Sequence, residues 1–160
     1  MTLPPRRPRL AIFGAGPAGQ AFARQFALLP FEVEAYDTRA ANADHAVILS
    51  EDEVVEVAGC LEDRDYALIA SATHDLDGRI AHAILAAGRF RYCGMIGSRK
   101  KREEILAGLA QAGLAHHQIA RLQCPIGIPE LHGRAPEVIA VSVAAQVLRV
   151  LQDDEAQAGS

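Results

Sequence analysis

Gly14-Ala15-Gly16-Pro17-Ala18-Gly19 carries the spacing G-x-G-x-x-G. A turn of this kind acts through its backbone. Missing side chains let a diphosphate come close, and the amides of the helix that opens behind it hold the anion. Gly14 would make the tight turn, Gly16 the close approach, and Gly19 the packing of the helix on a sheet. The spacing alone is a weak signal. Here it follows the apolar run Leu10–Phe13, leads into a helical stretch, and is answered by Asp37 at the end of a second strand-like run. Asp37 is expected to accept from a ribose hydroxyl, which disfavours a 2′-phosphate, and Arg39 to pair with another ligand anion. The alternative is that the fold is kept while the nucleotide seat is empty or repurposed.

Two further groups could do chemistry. In Gly97-Ser98-Arg99-Lys100-Lys101-Arg102, Ser98 is a good helix N-cap, yet the four residues after it are all cations, with Glu103 and Glu104 only afterwards. Cations in a first turn oppose the helix dipole by about 0.3–1 kcal/mol each. That order makes sense if this helix start faces an anion; the plain alternative is a solvated surface run. In Ser71-Ala72-Thr73-His74-Asp75-Leu76-Asp77, Thr73 can cap a helix and Asp75 and Asp77 suit its first turn. His74 should point into the cleft as an acid–base group or a donor to ligand, with a structural role as the alternative. The candidate cofactor-binding residues are therefore Gly14, Gly16, Pro17, Ala18, Gly19, Asp37, Arg39, Thr73, His74, Asp75, Gly97, Ser98, Arg99 and Lys100. No catalytic residue and no metal ligand is assigned. His116 and His117 sit in a polar loop, His45, His82 and His132 are isolated, and no nucleophile elbow or G-K-[ST] phosphate loop is present.

Strands that alternate with helices must position these residues. Leu10–Phe13, Glu32–Tyr36, Ala46–Leu49, Ala67–Ala70 and Arg91–Ile96 read as strands. Helices are expected from about Ala18, over Asp75–Ala87, over Arg99–Ala112, and from Pro136 to about Leu151. The fold class is α/β: a Rossmann-like doubly wound parallel sheet of about five strands, order 3-2-1-4-5, flanked by helices, with ligands at the carboxyl ends of the strands. Residues 1–9 are expected to be a flexible tail, 10–151 the domain, and 152–160 a second flexible tail.

Composition sets the outer limits. The chain has 160 residues, half of them apolar, and a net charge of −4. A domain of this size buries about two-thirds of its unfolded surface. The acidic balance and 5% aromatic content argue against nucleic acid as a partner. No apolar run is long enough to span a membrane or serve as a secretion signal, so the expected location is cytoplasmic. Cys60, Cys93 and Cys124 are few, odd in number and widely spaced, as reduced thiols are.

Taken together, the segments FGAGPAGQAFA, LLPFEVEAYDTR, ATHDLD, FRYCGMIGSRKKR, LQCPIGI and APEVIAVSVAAQVL resemble the C-terminal Rossmann domain of the xanthine dehydrogenase accessory proteins, the XdhC/CoxI family. The resemblance covers about residues 9–151, and the I-G-S-R-x-K-R and C-P-I-G segments are its most specific parts. It implies a non-catalytic chaperone with the molybdenum cofactor (molybdopterin) as cargo. Such a protein assists sulfuration by a cysteine desulfurase and insertion into a molybdenum hydroxylase apoenzyme of the xanthine dehydrogenase type. A homodimer stays open. The family's usual N-terminal domain, with a cysteine tied to the cofactor, has no counterpart in these residues, and a separate chain could supply that part. Pro17-Ala18 also replaces the His-Val pair often found in the family's glycine turn. The alternatives are a small NAD(P)-binding oxidoreductase and a nucleotide-sensing regulatory module.

Overall fold

The computed structural model describes residues 2–159. Among them, six strands form one parallel sheet: β1 (Arg9–Phe13), β2 (Glu32–Asp37), β3 (Val47–Ile48), β4 (Tyr66–Ile69), β5 (Tyr92–Met95) and β6 (Leu122–Gln123). Their order is β3-β2-β1-β4-β5-β6. This is the expected order with one more strand at the β5 edge. The helices are α1 (Pro17–Phe26), α2 (Glu51–Ala58), α3 (His74–Ala87), α4 (Arg99–Gln111), the single turn α5 (His116–Ile119) and α6 (Pro136–Ala158).

β4 and β5 are buried along their whole length, as strands covered on both faces must be. Successive side chains point to opposite faces, so each strand feeds two cores. Ala11, Phe13, Ala67, Ile69, Cys93 and Met95 meet Val54, Ile80, Ile84, Ile105 and Leu109 from α2, α3 and α4. Leu10, Ile12, Tyr66, Leu68 and Tyr92 meet Phe22, Phe26, Val143 and Val147 from α1 and α6.

The structure corrects several expectations. α2 was not foreseen, although Ser50 caps it by accepting from the Glu53 amide (3.2 Å). His116 and His117 lie on α5 and not in an open loop. Residues 152–158 continue α6, and Asp154 accepts from the Arg91 guanidinium at 2.7–3.0 Å, so this stretch is helical and tied to the β5 side of the sheet. At the other end, Arg9 already belongs to β1 and bonds the buried Asp65.

Candidate functional site

The glycine turn lies between β1 and α1, at the carboxyl edge of the sheet. Gly14 has φ +122°, and a Cβ there would sit 1.9 Å from the Ala70 carbonyl oxygen of the strand next door. A Cβ on Gly19 would lie 1.8 Å from the Gly14 carbonyl oxygen. These two glycines are demanded by packing. Gly16 is not, since a Cβ there would meet only the Arg39 Nη2, at 3.4 Å. Gly16 is the N-cap of α1, Pro17 its first residue and Ala18 its second. No side chain caps this helix.

Asp37, expected to serve a ribose, is committed inside the protein. Oδ1 accepts from the Arg39 amide (2.7 Å) and Nε (3.1 Å). Oδ2 accepts from the Ala15 amide (2.7 Å), Arg39 Nη2 (2.9 Å) and Asn42 Nδ2 (3.1 Å). Burial opposes ionisation, but the bonds from Arg39, Ala15 and Asn42 outweigh it and hold the carboxyl well below the usual carboxylate range. Arg39 is half-exposed beside the turn, its own pKa raised by the same pairing. The crevice lined by Gly14, Asp37, Thr38 and Ser71 holds only about 10 Å³, so a ligand here would lie on the surface of the turn.

The cationic helix start divides in two. Ser98 caps α4 by accepting from the Lys101 amide (3.2 Å), as expected. Lys101 is turned inward, where its Nζ donates to the buried Asp77 carboxylate and to the Ile96 carbonyl (2.8 Å). Gly97 makes room for this, since a Cβ there would meet Lys101 Cδ at 2.8 Å. Asp77 also accepts from the Ser71 amide (2.8 Å), so the pair ties the ends of β4 and β5 to α3 and α4. Arg99, Lys100 and Arg102 are exposed and form no ion pair among the described residues.

Thr73 caps α3 through the Leu76 amide (3.1 Å). His74 and Asp75 are exposed at the start of α3, where the chain leaves β4. With Arg79, His82 and Glu104 they edge a separate groove of about 520 Å³ between α3 and α4. The structure therefore brings Gly16, Asp37 and Arg39 together, and sets His74 and Asp75 at the start of α3 and Ser98, Arg99 and Lys100 at the start of α4 along the same edge of the sheet. Sequence reasoning missed Asp77 and Lys101 as partners, and also Gln146. Gln146 accepts from Tyr92 Oη and the Gly127 amide (3.0 Å) and donates to the Gly127 carbonyl (3.0 Å). With Ser142, which accepts from the Ile128 amide (2.8 Å), it fastens the C-P-I-G segment to α6. That motif's visible role is thus architectural. Among the described residues, no group of three His, Cys, Asp or Glu side chains could hold a metal, and no helix is long and apolar enough to cross a membrane.

Residues 10–147 match the family described as the XdhC Rossmann domain. The chain belongs to this family. It is 30% identical over 150 residues to the uncharacterized protein YqeB of Escherichia coli (strain K12), a match covering 90% of this chain and 27% of that one. It is 27% identical over 150 residues to a protein of Bacillus subtilis (strain 168) named as a probable xanthine dehydrogenase subunit, covering 89% and 43%. A crystal structure of a xanthine dehydrogenase from Bacillus halodurans superimposes with a TM-score of 0.75 at 24% identity, over 92% of this chain and 43% of that one, a likeness of fold. This XdhC-family chain thus spans less than half the length of each of these relatives.

Proposed function

We propose that this XdhC-family chain is the nucleotide-fold part of an accessory factor serving a xanthine-dehydrogenase-type molybdenum hydroxylase. In this role it turns over no substrate of its own. It holds the molybdenum cofactor as cargo while a cysteine desulfurase sulfurates it, and passes it to the apoenzyme. The family match over residues 10–147 carries the reading, and the Bacillus subtilis relative, by its name, supports the class of enzyme served.

The residues present fit a phosphate-bearing pterin. Arg99 and Lys100 are exposed, carry no ion pair among the described residues, and stand at a helix start whose dipole also favours an anion. The glycine turn, with Gly14, Gly16, Pro17, Ala18 and Gly19, would be the seat for a nucleotide.

The test is to express the chain with its hydroxylase in a molybdopterin-producing host. Pterin released from the purified chain is then oxidised to its fluorescent form and measured. The expected result is pterin bound to the parent, with retention about tenfold or more lower in an Arg99→Gln, Lys100→Gln double variant, since charge-assisted bonds of about 1–3 kcal/mol are lost. No pterin on the parent, with hydroxylase activity the same in its presence and absence, would refute the proposal.

A further inference from the structure

The expected division of labour at the end of β2 is reversed by its hydrogen bonds. A carboxylate offers about four lone-pair positions, and Asp37 already receives five donors while only 4% exposed. A ribose hydroxyl would find no acceptor there. One of those donors is the amide of Ala15, inside the glycine turn itself, so the carboxylate braces the turn.

Arg39 is in the opposite condition. Its guanidinium has five N–H groups, and Asp37 takes one from Nε and one from Nη2. One hydrogen of Nη1 and the second of Nη2 remain along the outer edge, which matches two oxygens of a phosphate, and the other Nη1 hydrogen is free as well. The side chain is 43% exposed, and its Nη2 lies 3.4 Å from where a Cβ on Gly16 would be. The two bonds to Asp37 fix the orientation of the fork, so little freedom remains to be lost on binding. In a fold of this class, the end of β2 beside the glycine turn is where a nucleotide's ribose lies.

We propose that Arg39, clamped by Asp37 beside Gly16, is a specificity-determining residue, and that the glycine turn takes a nucleotide whose ribose carries a 2′-phosphate ahead of one with a free 2′-hydroxyl. The inference rests on the turn being a nucleotide seat and is independent of the pterin cargo. Because Asp37 neutralises the guanidinium, the attraction acts through directed hydrogen bonds at contact and not through a long-range field.

Calorimetric titration of the full chain with 2′,5′-ADP, 5′-AMP and inorganic phosphate tests it, with NADP and NAD as a second pair. The expected result is at least tenfold tighter binding of 2′,5′-ADP than of 5′-AMP, and of NADP than of NAD. Arg39→Gln should abolish the difference, and Arg39→Lys, which keeps the charge without the fork, should leave part of it. Thermal unfolding of each variant checks that the fold is intact. Equal affinities for 2′,5′-ADP and 5′-AMP would overturn the phosphate preference while leaving the nucleotide seat standing. Binding of neither would remove the seat and the proposal with it. Inorganic phosphate binding as tightly as 2′,5′-ADP would show that the turn adds nothing for the nucleoside, and would also overturn it.

Discussion

Asp37 braces the glycine turn only while it is ionised. Its folded-state pKa is depressed, so its contribution to stability is present above the ordinary carboxyl value near 4 and is lost as pH falls from there through the folded value. The melting temperature of the parent should therefore drop more steeply below about pH 4 than that of Asp37→Asn, which should be less stable at pH 7 by about 2–3 kcal/mol. Parallel pH profiles for the two proteins would refute this. The glycines of the turn divide in the same way. Gly14→Ala and Gly19→Ala place a methyl within 2 Å of a carbonyl oxygen and should cost at least about 3 kcal/mol. Gly16→Ala should melt within about 1 kcal/mol of the parent, because only the Arg39 tip must yield. Thermal unfolding of the three variants separates them. The thiols offer a further check. Burial pushes Cys93 up to about 12 and raises Cys124, while Cys60 is exposed. A thiol reagent at pH 8 should modify one cysteine in the folded protein and the other two only on unfolding. Mass spectrometry of the modified peptides would identify them.

Between elements, the decisive contact is Lys101 with Asp77. Removing one partner leaves the other charge buried, which costs about 3–5 kcal/mol, whereas replacing both by apolar side chains costs far less. Lys101→Met should accordingly destabilise strongly, and adding Asp77→Leu should restore much of the loss. Denaturant unfolding of the single and double variants measures it, and additive losses would contradict the pairing. By contrast, Arg99→Gln with Lys100→Gln should leave the free protein unchanged or a few tenths of a kcal/mol more stable, since the dipole conflict is relieved. The sequence shows four consecutive cations, and nothing local tells which one turns inward. That is settled by Gly97 and by an aspartate on another helix. The same holds for Asp37, whose type and position were legible but whose Ala15 and Asn42 donors were not. Elements with a long period were read well: α3, α4, β1 and β4 fall within two residues of expectation. β3 lies inside the expected run Ala46–Leu49, whereas β6 has only two residues, too few for a period to show. α2 is rich in valine, a poor helix former, and only its Ser50 cap and acidic first turn could have betrayed it.

At the scale of the molecule, the strand order was readable because strand-helix alternation and the glycine turn leave few topologies open. What the order could not reveal is that α6 closes a core begun by β1 and α1. Phe22 and Phe26 of α1 and Tyr66 and Tyr92 of the sheet share this core with Ala140, Val143 and Val147 of α6. The consequence belongs to synthesis on the ribosome. A nascent chain that has emerged only as far as β6 can complete the α2–α4 side but leaves the α1 side without its α6 partner for as long as α6 is still in the exit tunnel. Such an intermediate is a client for a holding chaperone. Chains stalled with α6 inside the tunnel should be cleaved rapidly by protease in α1. Chains stalled after α6 has emerged should resist, and equal cleavage of the two would show that α1 is secured without it.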